Sequence, residues 1–225
     1  MKTGAGTYRR QVEASLRRPG LDAVVTDMLR LDARKTVAAL LSLLCHREEL
    51  LRWRAVSALG AVVAALADRE MEAARIVMRR FMWSLNDESG GIGWGIPESM
   101  GETMARQETL AREYHRILIS YLRPDGNFIE YEMLQRGVLW GVGRLAQTRA
   151  HLLTDAGELL LPYFRSADPV CRGLSAWAAG MVGPDEIRRS AGILAADHAE
   201  VKLYLDGELR HLTVARLAAS GGTGI

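Results

Sequence analysis

The chain has 225 residues, of which 48% are hydrophobic and 25% are charged, proportions typical of a soluble globular protein with a substantial core. The two cysteines, Cys45 and Cys171, are too few for a disulfide framework or a zinc site and are typical of a reducing compartment. The 29 basic and 27 acidic residues give a net charge of +2, so no overall field directs the chain to nucleic acid.

The first 20 residues carry a local excess of basic side chains and end at Pro19-Gly20. We expect residues 1–20 to form a basic arm or an amphipathic helix, and the less favoured alternative is an anchor to membrane or nucleic acid. This region has no apolar segment typical of a secretory signal. The longest uncharged apolar run, 55–67, is shorter than the roughly 20 residues that span a bilayer. We therefore expect a cytoplasmic protein that does not cross a membrane.

Helical periodicity continues almost unbroken from residue 8 to residue 182, and strand signals are nearly absent before residue 200. Breakers rich in glycine and proline separate the segments. The predicted helices cover residues 8–18, 21–29, 33–46, 49–67, 69–85, 97–105, 107–122, 131–148, 150–164 and 169–182. Asp168 followed by Pro169 is a strong start signal for the last of them, because aspartate caps a helix and proline suits its first position.

Four helices share an apolar run that ends in a glycine. These marker glycines are Gly60, Gly101, Gly143 and Gly183, and their spacings are 41, 42 and 40 residues. Gly180 is the alternative fourth marker. A regular step of about 41 residues with two helices per step is typical of a HEAT-type α-solenoid.

Several segments also resemble a known family. Residues 52–60, Arg-Trp-Arg-Ala-Val-Ser-Ala-Leu-Gly, resemble the second helix of a HEAT-like repeat of the type named after phycobilisome lyases. Residues 82–95, 126–130 and 134–140 resemble a small family of uncharacterised bacterial HEAT-like proteins. The resemblance implies an all-α, right-handed α-solenoid of about four repeats over residues 21–195. It implies no activity, and no pigment-binding motif supports a lyase.

Residues 196–225 differ in character from the helical repeats. Alternating Val, Leu and Tyr on both sides of Asp206-Gly207 predict a β-hairpin with a two-residue type I′ turn. A short helix over 215–219 and a flexible tail from Gly221 follow. We expect the hairpin to cap the last repeat, and a protruding recognition ribbon is the alternative.

The predicted inner helices carry a second stripe beside their apolar face. Positions seven and three before each marker glycine, and one after it, lie four residues apart on one helix face. The stripe residues are Trp53, Ser57, Ala61, Trp94, Glu98, Glu102, Arg136, Trp140 and Arg144. Stacked repeats would place Trp94 against Arg136 and Glu102 against Arg144. This band is either a structural ladder between repeats or a concave groove for an extended partner.

Residues 86–96 replace the tight turn expected between two repeat helices and contain four glycines and Trp94. We expect an ordered binding rim with Trp94 anchored beside Arg54 or Arg136, and a flexible insertion is the alternative. Asp87 and Glu88 are further candidate binding residues. With Glu98 they offer a metal only oxygen ligands, which is weak evidence for a site. The glycine spacing does not match a phosphate-binding loop.

No arrangement of histidine, cysteine, serine or carboxylate residues forms a recognisable catalytic motif. Trp83 and Trp177 are predicted to be core residues. We predict a non-catalytic scaffold that binds a protein or peptide through the concave face and residues 86–96, with no metal or cofactor. One alternative is a small-ligand or enzymatic site at residues 86–96. Another is nucleic-acid binding through arginines, which Glu98 and Glu102 disfavour.

Overall fold

The computed structural model describes residues 4–86 and 93–220. This part of the chain is mainly helical with one small antiparallel sheet. The helices are α1 (Gly4–Leu16), α2 (Leu21–Leu29), α3 (Ala33–Leu43), α4 (Glu49–Arg69), α5 (Met71–Leu85), α6 (Ile96–Arg106), α7 (Glu108–Ser120), α8 (Glu132–Arg149), α9 (Gly157–Leu160), α10 (Pro169–Val182), α11 (Asp185–Ser190) and α12 (Val214–Ala219). The sheet pairs β1 (Glu200–Leu205) with β2 (Glu208–Thr213). A mainly helical protein with a C-terminal hairpin is confirmed.

The single helix predicted over 150–164 is wrong. The chain instead forms 3₁₀ segments at Ala150–Leu152, Thr154–Ala156 and Leu161–Arg165 around the single turn α9. Pro162 explains part of the break, because it lacks an N–H and its ring would clash with the carbonyl one turn earlier in a continuous α-helix.

The chain divides into two compact units. The first contains the residues up to Leu110 together with the hairpin tip, Tyr204–Glu208. Its central helix is α4, which packs against α2, α3, α5 and α6. Leu51, Leu59 and Val63 of α4 are almost fully buried, so this helix forms the middle of the core of the first unit.

By length and composition, α4 is apolar enough to cross a membrane. However, 72% of its most apolar 18-residue window is buried inside the protein. The central helix of a folded core has the same length and composition, so α4 gives only weak evidence for a membrane span.

The second unit contains Ala111–Leu203 and the residues from Leu209 onward. Its main helix pair is α8 and α10, and α12 packs against α10. Asp168 is the N-cap of α10, and its carboxylate accepts hydrogen bonds from the backbone N–H groups of Val170 and Cys171. The start signal at Asp168-Pro169 therefore operates as its residue types predict.

Two marker glycines allow neighbouring helices to approach closely. In the first unit, a Cβ atom at Gly60 would overlap the side chain of Glu102 on α6. In the second unit, a Cβ atom at Gly143 would overlap the indole of Trp177 on α10. The recurring glycine thus removes the atom that would hold these helix pairs apart.

A hydrogen bond of one type also recurs at three places in the chain. Arg52 donates from Nη1 to the carbonyl of His46, Gln135 donates from Nε2 to that of Ile129, and Arg172 donates from Nη1 to that of Ser166, each at 2.8 Å. Each donor bonds a carbonyl six residues earlier and lies eight residues before a glycine, if the last glycine is Gly180.

Candidate recognition surfaces

Five of the six stripe residues of the first unit lie on α4 and α6, Trp94 lies just before α6, and three of the six, Ser57, Ala61 and Glu102, are buried. Ser57 and Glu102 are each 2% exposed, and Trp53 is half-buried. Glu102 packs over Gly60, and its Oε1 atom accepts a hydrogen bond from Nε of Arg106 at 2.5 Å. Because Glu102 is enclosed in this way, its carboxylate is not accessible to a ligand in this structure.

The hairpin tip covers part of this stripe. The ring of Tyr204 is stacked on that of Trp53, with centroids 5.1 Å apart and an interplanar angle of 8°. The Ser57 hydroxyl donates to the Tyr204 hydroxyl oxygen at 3.1 Å. Tyr204 is 2% exposed, and burial raises the pKa of its hydroxyl to about 12. We call the surface formed by Trp53 and Ser57 the tyrosine slot.

The turn of the hairpin packs against the start of α2. Asp206 and Gly207 both have positive φ values, 50° and 87°, as a two-residue type I′ turn requires. A Cβ atom at Gly207 would lie 2.9 Å from Cβ of Leu21. Glycine is therefore needed here both for its backbone conformation and for this close approach.

Arg54 contacts the N-terminal region. Its Nη1 atom donates to the carbonyls of Leu16 at 2.9 Å and Arg18 at 2.8 Å. These are carbonyls at the end of α1, where a helix leaves acceptors without internal partners. Its Nε atom is buried and has no hydrogen-bond partner. Arg54 therefore holds α1 against α4.

Asp87 and Glu88 lie outside the described residues, as does most of the glycine-rich segment. Gly93 and Gly95 are described and have φ values of 62° and 70°. A Cβ atom at Gly93 would lie 2.8 Å from Leu85, in the last turn of α5, and one at Gly95 would lie 3.1 Å from Leu44. The two glycines thus allow the backbone to approach Leu85 and Leu44 closely, and Trp94 between them is half-buried.

Glu98 lies in the first turn of α6, just after these glycines. Its Oε2 atom is inaccessible to solvent and has no hydrogen-bond partner. Burial raises the pKa of this carboxyl group to about 7, although its own backbone N–H partly opposes the shift. Glu98 therefore holds a proton more readily than an ordinary glutamate, and its enclosed Oε2 atom has no partner to stabilise a charge.

Trp83 is 78% exposed, so its predicted core position is wrong, whereas Trp177 is buried as predicted. The buried face of α5 consists of Ala74, Met78 and Phe81. A position two residues after Phe81 is rotated about 200° around the helix and points away from that face. The run Phe81-Met82-Trp83 is apolar throughout, so the sequence alone does not show that Trp83 faces away from the core.

Trp83 shares its outward face with other side chains. Ile76, 57% exposed, lies two turns earlier on α5. Between them Arg79 forms an ion pair with Glu72, with 2.6 Å between Nη2 and Oε1, and Arg80 is exposed. We call this outer face of α5, together with Gly93, which packs on its last turn, the α5–α6 surface.

The remaining stripe residues lie on α8, in the second unit. Nε of Arg136 lies 2.6 Å from Oδ2 of Asp168, the cap of α10. Trp140 is 3% exposed, and Nη1 of Arg144 donates to Gln147 at 3.2 Å. The predicted pairs of Trp94 with Arg136 and Glu102 with Arg144 join residues of different units and stay predictions.

Other reactive groups do not converge in the described part of the chain. Burial, followed by the bond to Asp168, raises the pKa of the Cys171 thiol, which keeps it in the unreactive thiol form. No group of three or more His, Cys, Asp or Glu side chains in residues 4–86 and 93–220 could hold a metal ion. A groove of about 330 Å³ near the end of α4 has Arg34, Arg69 and Glu70 among its lining residues. It includes no residue of the α5–α6 surface.

No family model matches the chain. It is 30% identical over 108 residues to an uncharacterised protein of Archaeoglobus fulgidus, a match that covers 48% of this chain and 52% of that protein. The chain thus spans about half the length of this curated relative. Among solved structures, it resembles an engineered protein with a TM-score of 0.52 and 12% identity, over 95% of this chain and 94% of the other. This likeness concerns the fold alone.

Proposed function

We propose that the chain is a cytoplasmic HEAT-like repeat scaffold that binds a protein or peptide partner and performs no catalysis itself. The α5–α6 surface is the proposed binding site. The observation that carries the proposal is Trp83, a tryptophan 78% exposed at the last turn of a well-packed helix.

The proposed repeat architecture has support in both units. Glycine contacts between helices recur at Gly60 and Gly143. Side-chain bonds to carbonyls six residues earlier recur at Arg52, Gln135 and Arg172. Gly60 and Gly143 lie 83 residues apart, as do Arg52 and Gln135, which is twice a step of about 41 residues. Neighbouring repeats that stack closely need such small residues.

The composition of the α5–α6 surface supports a protein partner. Tryptophan and arginine are the residues most often found as binding hot spots, and Trp83, Arg79 and Arg80 share the outer face of α5. An exposed indole and the exposed Ile76 beside it leave apolar area in water that a partner would cover. A net charge of +2 over 225 residues supports a protein rather than nucleic acid.

The free thiols support the proposed cytoplasmic location. Cys45 is exposed and Cys171 is buried, and neither forms a disulfide. An exposed unpaired thiol is typical of a protein that works in a reducing compartment.

The experiment is affinity capture with cross-linking from cells that encode the chain, followed by titration of the purified partner by calorimetry. Trp83→Ala should weaken binding by about 30-fold or more, since a hot spot contributes at least about 2 kcal/mol. The same change should alter the free energy of unfolding by less than about 1 kcal/mol, because the side chain is exposed.

Ile193→Ala is the matched control, because Ile193 is 61% exposed but lies in the second unit. This variant should bind the partner as tightly as the wild type. Equal affinity of the wild type and Trp83→Ala would contradict the proposed site.

A further inference from the structure

The tyrosine slot has the features of a ligand site. It offers the Trp53 indole for stacking, the Ser57 hydroxyl for a directional hydrogen bond, and Leu21 as a close-packed support for the turn. Tyr204 enters this site from a hairpin whose tight turn fixes its conformation in advance. Such preorganisation lowers the entropy lost when a ligand binds.

A long stretch of chain separates Ser57 in the tyrosine slot from Tyr204, the residue that occupies the slot. Ser57 and Tyr204 are 147 residues apart in sequence, so local chain geometry does not force them together. A contact of this kind resembles binding between two molecules, with the intervening chain acting as a linker that raises the effective concentration.

The surroundings of the hydroxyl favour tyrosine over phenylalanine. The Tyr204 hydroxyl oxygen accepts a hydrogen bond from the buried Ser57 hydroxyl at 3.1 Å. The Ser57 hydroxyl would lose this acceptor if the ring were that of phenylalanine, and an unsatisfied buried polar group is costly.

We propose that the tyrosine slot is a self-recognition site. It binds the tyrosine-bearing hairpin tip as a ligand, from its own chain or from a second copy, so that two chains can exchange hairpins. Exchange of an identical element between protomers creates a dimer with few new contacts. The inference involves neither Trp83 nor the α5–α6 surface and is independent of the proposed function.

The first test uses full-length Tyr204→Ala, in which the slot is intact but vacated, and a synthetic peptide of residues 200–213 as the probe. The peptide should bind Tyr204→Ala at least about tenfold more tightly than the wild type, whose own tip competes. A peptide carrying Tyr204→Phe should bind more weakly, and the double variant Trp53→Ala/Tyr204→Ala should not bind.

The second test is complementation between two defective chains. The Trp53→Ala variant has a defective slot and an intact hairpin tip. The Tyr204→Ala variant has an intact slot and a defective hairpin tip. Light scattering after chromatography should show monomers for each variant alone and a one-to-one dimer for the mixture, since one intact slot can then receive one intact tip.

Gly207→Val provides a second way to empty the slot, because both its φ of 87° and the contact with Leu21 oppose a side chain there. It replaces Tyr204→Ala in both tests if that variant does not fold. The proposal is overturned if the peptide binds wild type and vacated chains equally, if it binds neither, or if the mixture stays monomeric. Loss of cooperative folding in both variants would also overturn it, because the tip would then be an integral part of the core.

Discussion

Glu98 makes the stability of the protein depend on pH. Its pKa is about 7 in the folded chain and has the ordinary value of 4.5 in the unfolded chain. Between these values the folded state holds more of the proton, so the free energy of unfolding falls as pH rises from about 4.5 to about 7. Above pH 7 the carboxyl group is charged in both the folded and the unfolded chain, so the free energy of unfolding stays lower by the full cost of burying that charge.

Glu98→Gln removes this charge, and we expect it to stabilise the protein at pH 8 by about 1–3 kcal/mol. The gain should shrink below pH 5, where the wild-type carboxyl group is protonated. Urea unfolding at both pH values measures the difference. The exposed Glu130→Gln is the control and should show no such change between the two pH values. A gain that is equal at pH 5 and pH 8 would contradict the burial of the charge.

Gly60 illustrates how a single missing atom determines packing. Gly60→Ala places a Cβ atom in the space of the buried Glu102 side chain, and overpacking of this kind costs about 1–3 kcal/mol. Gly6→Ala in α1 is the control, because no atom lies within 4 Å of its Cβ position. The control should be neutral or stabilising by up to about 1 kcal/mol, since alanine favours helix. Thermal unfolding that ranks the two variants in the opposite order would show that α4 and α6 are less closely packed.

Two aspartate caps allow a comparison at the level of the helix. Asp168 caps α10, is 5% exposed and is paired with Arg136. Asp32 caps the exposed start of α3 through one bond, to the N–H of Lys35 at 2.8 Å. The first cap therefore combines helix capping with an ion pair whose carboxylate is buried and whose guanidinium is partly exposed.

Asp168→Ala should cost about 2–4 kcal/mol, because it removes a helix cap of about 1 kcal/mol and also a charge-assisted hydrogen bond of about 1.5–3 kcal/mol with Arg136. Asp32→Ala should cost about 1 kcal/mol. Chemical denaturation of both variants at pH 7 measures this difference. If the two losses were equal, the ion pair with Arg136 would add nothing to the cap.

The local signals in the sequence predicted local structure well. The helices α2 and α10 have the predicted bounds, and Asp206-Gly207 forms the predicted turn. Such features depend on residues within one or two turns, whose preferences the sequence displays directly.

The sequence does not show in the same way which side chains are covered by a distant part of the chain. The inner-face stripe was found from helical spacing, but nothing near Trp53 indicates that Tyr204 stacks on it. Tyr204 itself has a local signal, a tyrosine two residues before a tight turn, yet its partner is far away in sequence. Trp83 was misplaced for a related reason, since an unbroken apolar run does not reveal which of its members faces the core.

At the scale of the whole molecule, stability should be distributed unevenly along the chain. We expect the slowest amide hydrogen exchange in α4 and α10, the central helices of their units, which bury most of their residues. The first turn of α1 should exchange faster, because Gly4, Gly6 and Thr7 are exposed and the first N–H groups of a helix have no partner within it. Mass spectrometry of exchanged peptides measures this order, and equal protection of α1 and α4 would contradict it.

The separation of 147 residues from Ser57 to Tyr204 also has a consequence during synthesis. At about 5–20 residues per second, a ribosome needs roughly 7–30 s to make the intervening chain. Throughout that time α4 can fold while its slot has no tip from the same chain to fill it. On a messenger RNA translated by several ribosomes, completed neighbours present their hairpins at high local concentration. The order of synthesis therefore gives hairpin exchange its best opportunity before the protein has left the ribosome.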